Sequence, residues 1–172
     1  MNSASNGMLF GLIIVVGLFA VTFLYLSVKK TLKRNVFCKK QYEEQKRLVG
    51  KEYVYRTGAP RYILKAMVKN AIPVNNSFSA KVKGGNYRIL SETEGNITYQ
   101  HMSKLTVGGD GDEFTARISF FDTPNGCNVA ACIERWREKD GVTRKAGLEA
   151  MREFYGYVEN AVRAACTGRY WG

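Results

Sequence analysis

Histidine is almost missing from this 172-residue chain: His101 is the only one. A histidine-based triad or metal cluster therefore has little to build on. The four cysteines, Cys38, Cys127, Cys132 and Cys166, form no Cys-x-x-Cys pair, so zinc spacing is absent too. Cys127 and Cys132 are five apart on an expected strand, which points them to opposite faces unless a bulge intervenes. Phosphate loop, nucleophile elbow and paired carboxylates of acid/base type are all missing from the sequence. Nothing here calls for a cofactor or a metal.

One long segment has no charge at all. Met8 to Val28 reads MLFGLIIVVGLFAVTFLYLSV. As a helix with 1.5 Å rise per residue it spans about 31 Å, the thickness of a bilayer's hydrocarbon core. A cleaved signal peptide would want a basic start and a shorter apolar run. Here residues 1–7 have no basic side chain and lysines follow the run at once. The expectation is a retained single-pass helix.

Acidic residues are scarce beside that helix. Residues 29–51 hold nine of the chain's 26 basic side chains and only two of its 15 acidic ones, Glu43 and Glu44. By the positive-inside rule the C-terminal side is cytoplasmic. There the cysteines stay reduced, and the Asn-x-Ser/Thr sites at Asn75 and Asn96 are not glycosylated. Lys29, Lys30, Lys33, Arg34, Lys39 and Lys40 are the expected contacts with anionic headgroups, each contributing about 1 kcal/mol. Leu32, Val36 and Phe37 add an apolar edge. Nucleic acid is not an expected partner, since the rest of the chain shows no basic stripe with interleaved aromatics. Residues 29–50 read as a polar continuation of the helix and then a tether.

With only three prolines, at 60, 73 and 124, each one marks a boundary. Tyr53 and Tyr55 alternate with Val54 and Arg56, a short strand. Pro60 opens, and Pro73 stops, a helix whose apolar residues are Ile63, Leu64, Met67, Val68, Ala71 and Ile72. Period-two alternation follows: Phe78, Ala80 and Val82; Tyr87 and Ile89; Ile97, Tyr99 and His101; Phe114, Ala116, Ile118 and Phe120. Pro124 with Asn125-Gly126 turns the chain into Val129, Ala131 and Ile133. Thr143 then opens a long helix with Leu148, Met151, Phe154, Tyr155, Val158, Val162 and Ala165 on one stripe. It ends at Thr167-Gly168.

VGGDGDEF, Val107 to Phe114, resembles a diguanylate cyclase signature and a calcium loop. Gly111-Asp112 interrupts the first. The second needs a glutamate at its twelfth position, and counting from Asp110 that residue is Phe121. Three glycines and two aspartates between alternating strands read as a hairpin turn.

Strand, helix, several antiparallel strands and a long amphipathic helix suit an α+β domain in which a curved antiparallel sheet is gripped by the C-terminal helix. The order resembles the START-like (helix-grip) superfamily of polyketide cyclases, pollen allergens and lipid-transfer domains. It is carried by YVYRTGAPRYILKAMV, by the strands over 77–136 and by GLEAMREFYGYVENAVRAA. Two departures are the single helix after the first strand and the small size. The resemblance implies a cavity for a lipid or other apolar ligand. Its walls would be Phe78, Val82, Tyr87, Ile89, Tyr99, His101, Ala116, Ile118, Phe120, Ala131 and Ile133, closed by Met151, Phe154, Tyr155 and Val158. The same pattern fits a solid core, because apolar alternation does not encode a void. The expected roles are a membrane-anchored binder of apolar ligand, a tethered protein-interaction module using the turns and the charged run around Trp136, or a cyclase-type enzyme with Tyr99, His101 or Glu134 in a pocket.

Overall fold

The computed structural model describes residues 3–77, 85–102 and 113–167, with side chains from residue 11 onward. Phe78, Val82, the turn over 107–112 and Trp171 lie outside the described residues.

The apolar segment is part of helix α1, Ser3–Leu32, one helix long and apolar enough to cross a membrane. Its apolar side chains, from Leu12 to Val28, are exposed rather than packed on the protein. Beyond Leu32 the chain does not loosen into a tether. It continues as a wide π-helical turn, Lys33–Phe37, in which Cys38 N–H donates to the Lys33 carbonyl five residues back. Helix α2, Lys39–Leu48, follows.

Strand β1 (Tyr53–Thr57) leads through helix α3 (Arg61–Ala71) into β2 (Asn86–Glu92), β3 (Asn96–Met102), β4 (Phe114–Thr123) and β5 (Gly126–Trp136). Pro60 stands one place outside α3, capping rather than opening it. The five strands form one antiparallel sheet in the order β1-β5-β4-β3-β2. Helix α4, Lys145–Cys166, closes it.

Alternation decides which side of the sheet α4 covers. Phe114, Ala116, Ile118 and Phe120 turn inward from β4, and Val129, Ala131 and Ile133 from β5. On α4, Leu148, Met151, Phe154, Tyr155, Val158 and Val162 recur at three- and four-residue spacing and are buried against them. Leu64 and Val68 of α3, and Ile72 just past its end, join the same core. Gly126, at φ +142°, is required at the β4–β5 turn, because a Cβ there would run into the Thr57 carbonyl and Gly58. The order of elements is the one expected from the sequence: first strand, helix, antiparallel sheet, long closing helix.

Candidate functional site

The residues expected to line a cavity do meet, and they meet one another. Tyr87 lies 5.1 Å from His101, 6.1 Å from Phe114 and 6.0 Å from Phe154, ring centre to ring centre. Tyr99 is 6.2 Å from Phe154, and His101 stacks on Phe114 at 5.0 Å. These are the separations of packed aromatic pairs. Tyr99, Ala116, Ile118, Ala131, Ile133, Phe154 and Val158 are each 0% exposed. Ile89 is only partly buried, at the margin of the core.

Two of the tyrosine hydroxyls in this core hold the scaffold together. Tyr155 Oη donates to the Leu48 carbonyl at 2.8 Å and accepts from Ile133 N–H at 3.3 Å, tying α2, β5 and α4. Tyr87 Oη donates to the Ala150 carbonyl at 3.2 Å. The Tyr99 hydroxyl is buried without a hydrogen-bond partner. Burial pushes the phenols of Tyr87, Tyr99 and Tyr155 well above the ordinary tyrosine range, because ionisation would strand a charge in the core. His101 is buried, at 4% exposure. Glu134 does not join Tyr99 and His101: it is exposed, and it pairs with Arg117 at 3.0 Å. The three titratable side chains singled out for an enzyme are therefore not brought together. Cys127 is fully buried while Cys132 is half-exposed, as opposite faces of β5 require.

Among the described residues, an apolar recess lies outside the sheet, between α3 and α4. It has a volume of about 510 Å³ and is lined by Tyr62, Ile63, Ala66, Met67, Asn70 and Ala71 of α3 and Asn160, Ala161 and Ala164 of α4. The sequence held a signal for it. Apolar positions of α3 extend past the buried stripe of Leu64 and Val68 to Tyr62, Ile63 and Met67, with Tyr62 74% exposed.

At the opposite end of the sheet the segment after α1 is docked on the β5–α4 loop. Lys33 Nζ donates to Asp140 Oδ2 at 3.0 Å and to the Lys139 carbonyl at 3.1 Å. Arg34 Nε donates to the Gly141 carbonyl at 2.9 Å and its guanidinium lies 3.6 Å from Glu138. Gln45, 3% exposed, donates to Glu138 and accepts from Thr143 N–H at 2.7 Å. Tyr42 is flanked by Arg34 and Lys46, 5.0 and 4.5 Å from its ring centre. Lys33 holds the Asp140 carboxyl below its usual range. Of the six basic residues expected at the headgroups, Lys29, Lys30, Lys39 and Lys40 are exposed, while Lys33 and Arg34 are engaged by this loop. Gln45 was not among the residues expected at a site. The signal was there: acidic Glu138 and Asp140 match basic Lys33 and Arg34 in a chain where acidic residues are few.

No protein-family model matches the chain, and no curated protein matches its sequence. Among solved structures it is similar to a protein of Mesorhizobium loti, at 11% identity and a TM-score of 0.42, over 66% of this chain and 96% of the other. A protein of Nitrosomonas europaea has 12% identity and a TM-score of 0.43, over 72% and 97%. An aromatase/cyclase from a Streptomyces species has 13% identity and a TM-score of 0.27, over 69% and 91%. At such scores these likenesses say nothing about ligand or activity.

Proposed function

We propose that the chain is a membrane-anchored helix-grip module of the cytoplasmic face that acts through its outer surface, on protein partners, rather than by enclosing a ligand. The observation that carries this reading is the absence of accessible surface on the seven core side chains where a cavity was expected. Anchoring is supported by the length and exposed apolar surface of α1, and orientation by the lysines and arginines that follow it. Native mass spectrometry of the full-length protein, released from detergent and extracted with organic solvent, tests it. The expected result is a protein mass without a stoichiometric adduct. A lipid-sized adduct that survives detergent exchange would sink the closed-module reading.

A second reading, an apolar ligand bound on the outside, is favoured by the recess between α3 and α4. Its volume falls in the range of small-molecule sites, about 300–1,000 Å³. In that case an adduct is present and Ala66→Trp, which fills the recess, removes it.

A further inference from the structure

The recess between α3 and α4 combines three small side chains, Ala66, Ala161 and Ala164, with the larger Tyr62, Ile63 and Met67. Tyr62 and Ala66 are exposed, and Ile63 and Met67 are only partly buried, so α3 leaves apolar surface uncovered there. Asn70 and Asn160 add two exposed amides to the same lining. Such a lining suits a flat, amphipathic body. It offers a ring to pair with at Tyr62, a thioether for a π system at Met67, and amide oxygens for an N–H donor. An indole answers to all three.

The chain carries an indole within reach. Helix α4 ends at Cys166 with Thr167 as its C-cap, and the sequence goes on as Gly168-Arg169-Tyr170-Trp171-Gly172. These five residues lie outside the described ones. Ala164 and Asn160 stand three and seven residues before Thr167, about 4.5 and 10 Å back along the helix axis. Extended chain from Gly168 to Trp171 covers at most about 14 Å. A chain that reverses at Gly168 therefore brings Trp171 as far back as Asn160. Gly168 follows the C-cap directly, the place where a left-handed residue turns a chain off its helix, and glycine adopts that conformation without strain.

We infer that residues 168–172 fold back over the end of α4 and lay the side chain of Trp171 in the recess between α3 and α4, as an intramolecular plug. Being tethered a few residues away, the ring is present at an effective concentration on the order of millimolar. A free apolar ligand of the recess has to displace it. The inference uses the fold of the domain alone and is independent of the membrane anchor.

Fluorescence provides the test, because Trp136 and Trp171 are the chain's two tryptophans. Trp136→Phe in the full-length protein, one copy to each phosphatidylcholine nanodisc, leaves Trp171 as the sole emitter. We expect blue-shifted emission, and acrylamide quenching severalfold weaker than that of a solvated indole. Ala66→Arg, at an exposed helical position that accepts arginine, should fill the recess, shift the emission to the red and restore full quenching. Contact is read separately at the Met67 methyl group, carbon-13 labelled in the otherwise unaltered protein. The indole ring current should displace its resonance, and Trp171→Ala should return it. Emission typical of a solvated indole in the Trp136→Phe chain would overturn the inference. So would shielding that survives Ala66→Arg, which puts the indole in the bilayer or elsewhere on the domain. A Met67 resonance indifferent to Trp171→Ala would overturn it as well.

Discussion

Two regions of this molecule are closed by helices, and they are closed by different forces. Between the sheet and α4 the contact is rings and aliphatic chains, most without accessible surface. At the junction of α2 with the β5–α4 loop it is charge and hydrogen bonding: Lys33, Arg34 and Gln45 on one side, Glu138, Asp140, Gly141 and Thr143 on the other. The first kind of contact is non-directional and supplies stability. The ion pairs of the second are exposed enough to add little stability, yet its directional bonds fix an angle. Removing parts of the core should therefore unfold the domain, and removing parts of the junction should release it from its pose without unfolding it.

The largest effect falls on the core. Phe154→Ala should lower the unfolding free energy by about 3–5 kcal/mol, the cost of a large buried ring and the cavity it leaves. A denaturant titration reads it, and a loss under 1 kcal/mol would mean the site was never tightly packed. Tyr155→Phe lies where the two regions touch, since its hydroxyl serves both the Leu48 carbonyl and Ile133 N–H. It should cost about 1–3 kcal/mol, because the buried carbonyl loses its donor.

Smaller effects come from titration. The buried phenols of Tyr87, Tyr99 and Tyr155 stay protonated in the folded state above the pH at which the unfolded chain ionises. Their contribution is complete below the ordinary tyrosine value of about 10 and is lost as pH rises past it. Midpoints of unfolding measured across that range should fall. Asp140 has the opposite sign: its folded pKa is depressed by Lys33, so its contribution is present above the ordinary aspartate range and lost as pH falls below it. Amide exchange at residues 33–48 should quicken in acid before the sheet responds.

What could be read from the sequence follows the same division. The α4 stripe and the β4 alternation were legible because burial repeats with the period of the element, as Met151, Phe154 and Val158 or Phe114, Ala116 and Ile118 do. Helix α2 was not, since KKQYEEQKRL has no apolar stripe and is held by tertiary contacts of Gln45 and Leu48. The interior was legible as a list of residues but not as a space. Tyr87, Tyr99 and Phe154 can line a pocket or fill one, because alternation fixes the face each takes and not the separations across the core.

The closed interior is tested most directly by putting an indole where Ile118 stands. If the space between sheet and α4 is full, Ile118→Trp overpacks it and costs about 1–3 kcal/mol or more in a denaturant titration of the full-length protein. Unchanged or increased stability would mean the sheet and α4 leave room for a ligand, and would contradict the account.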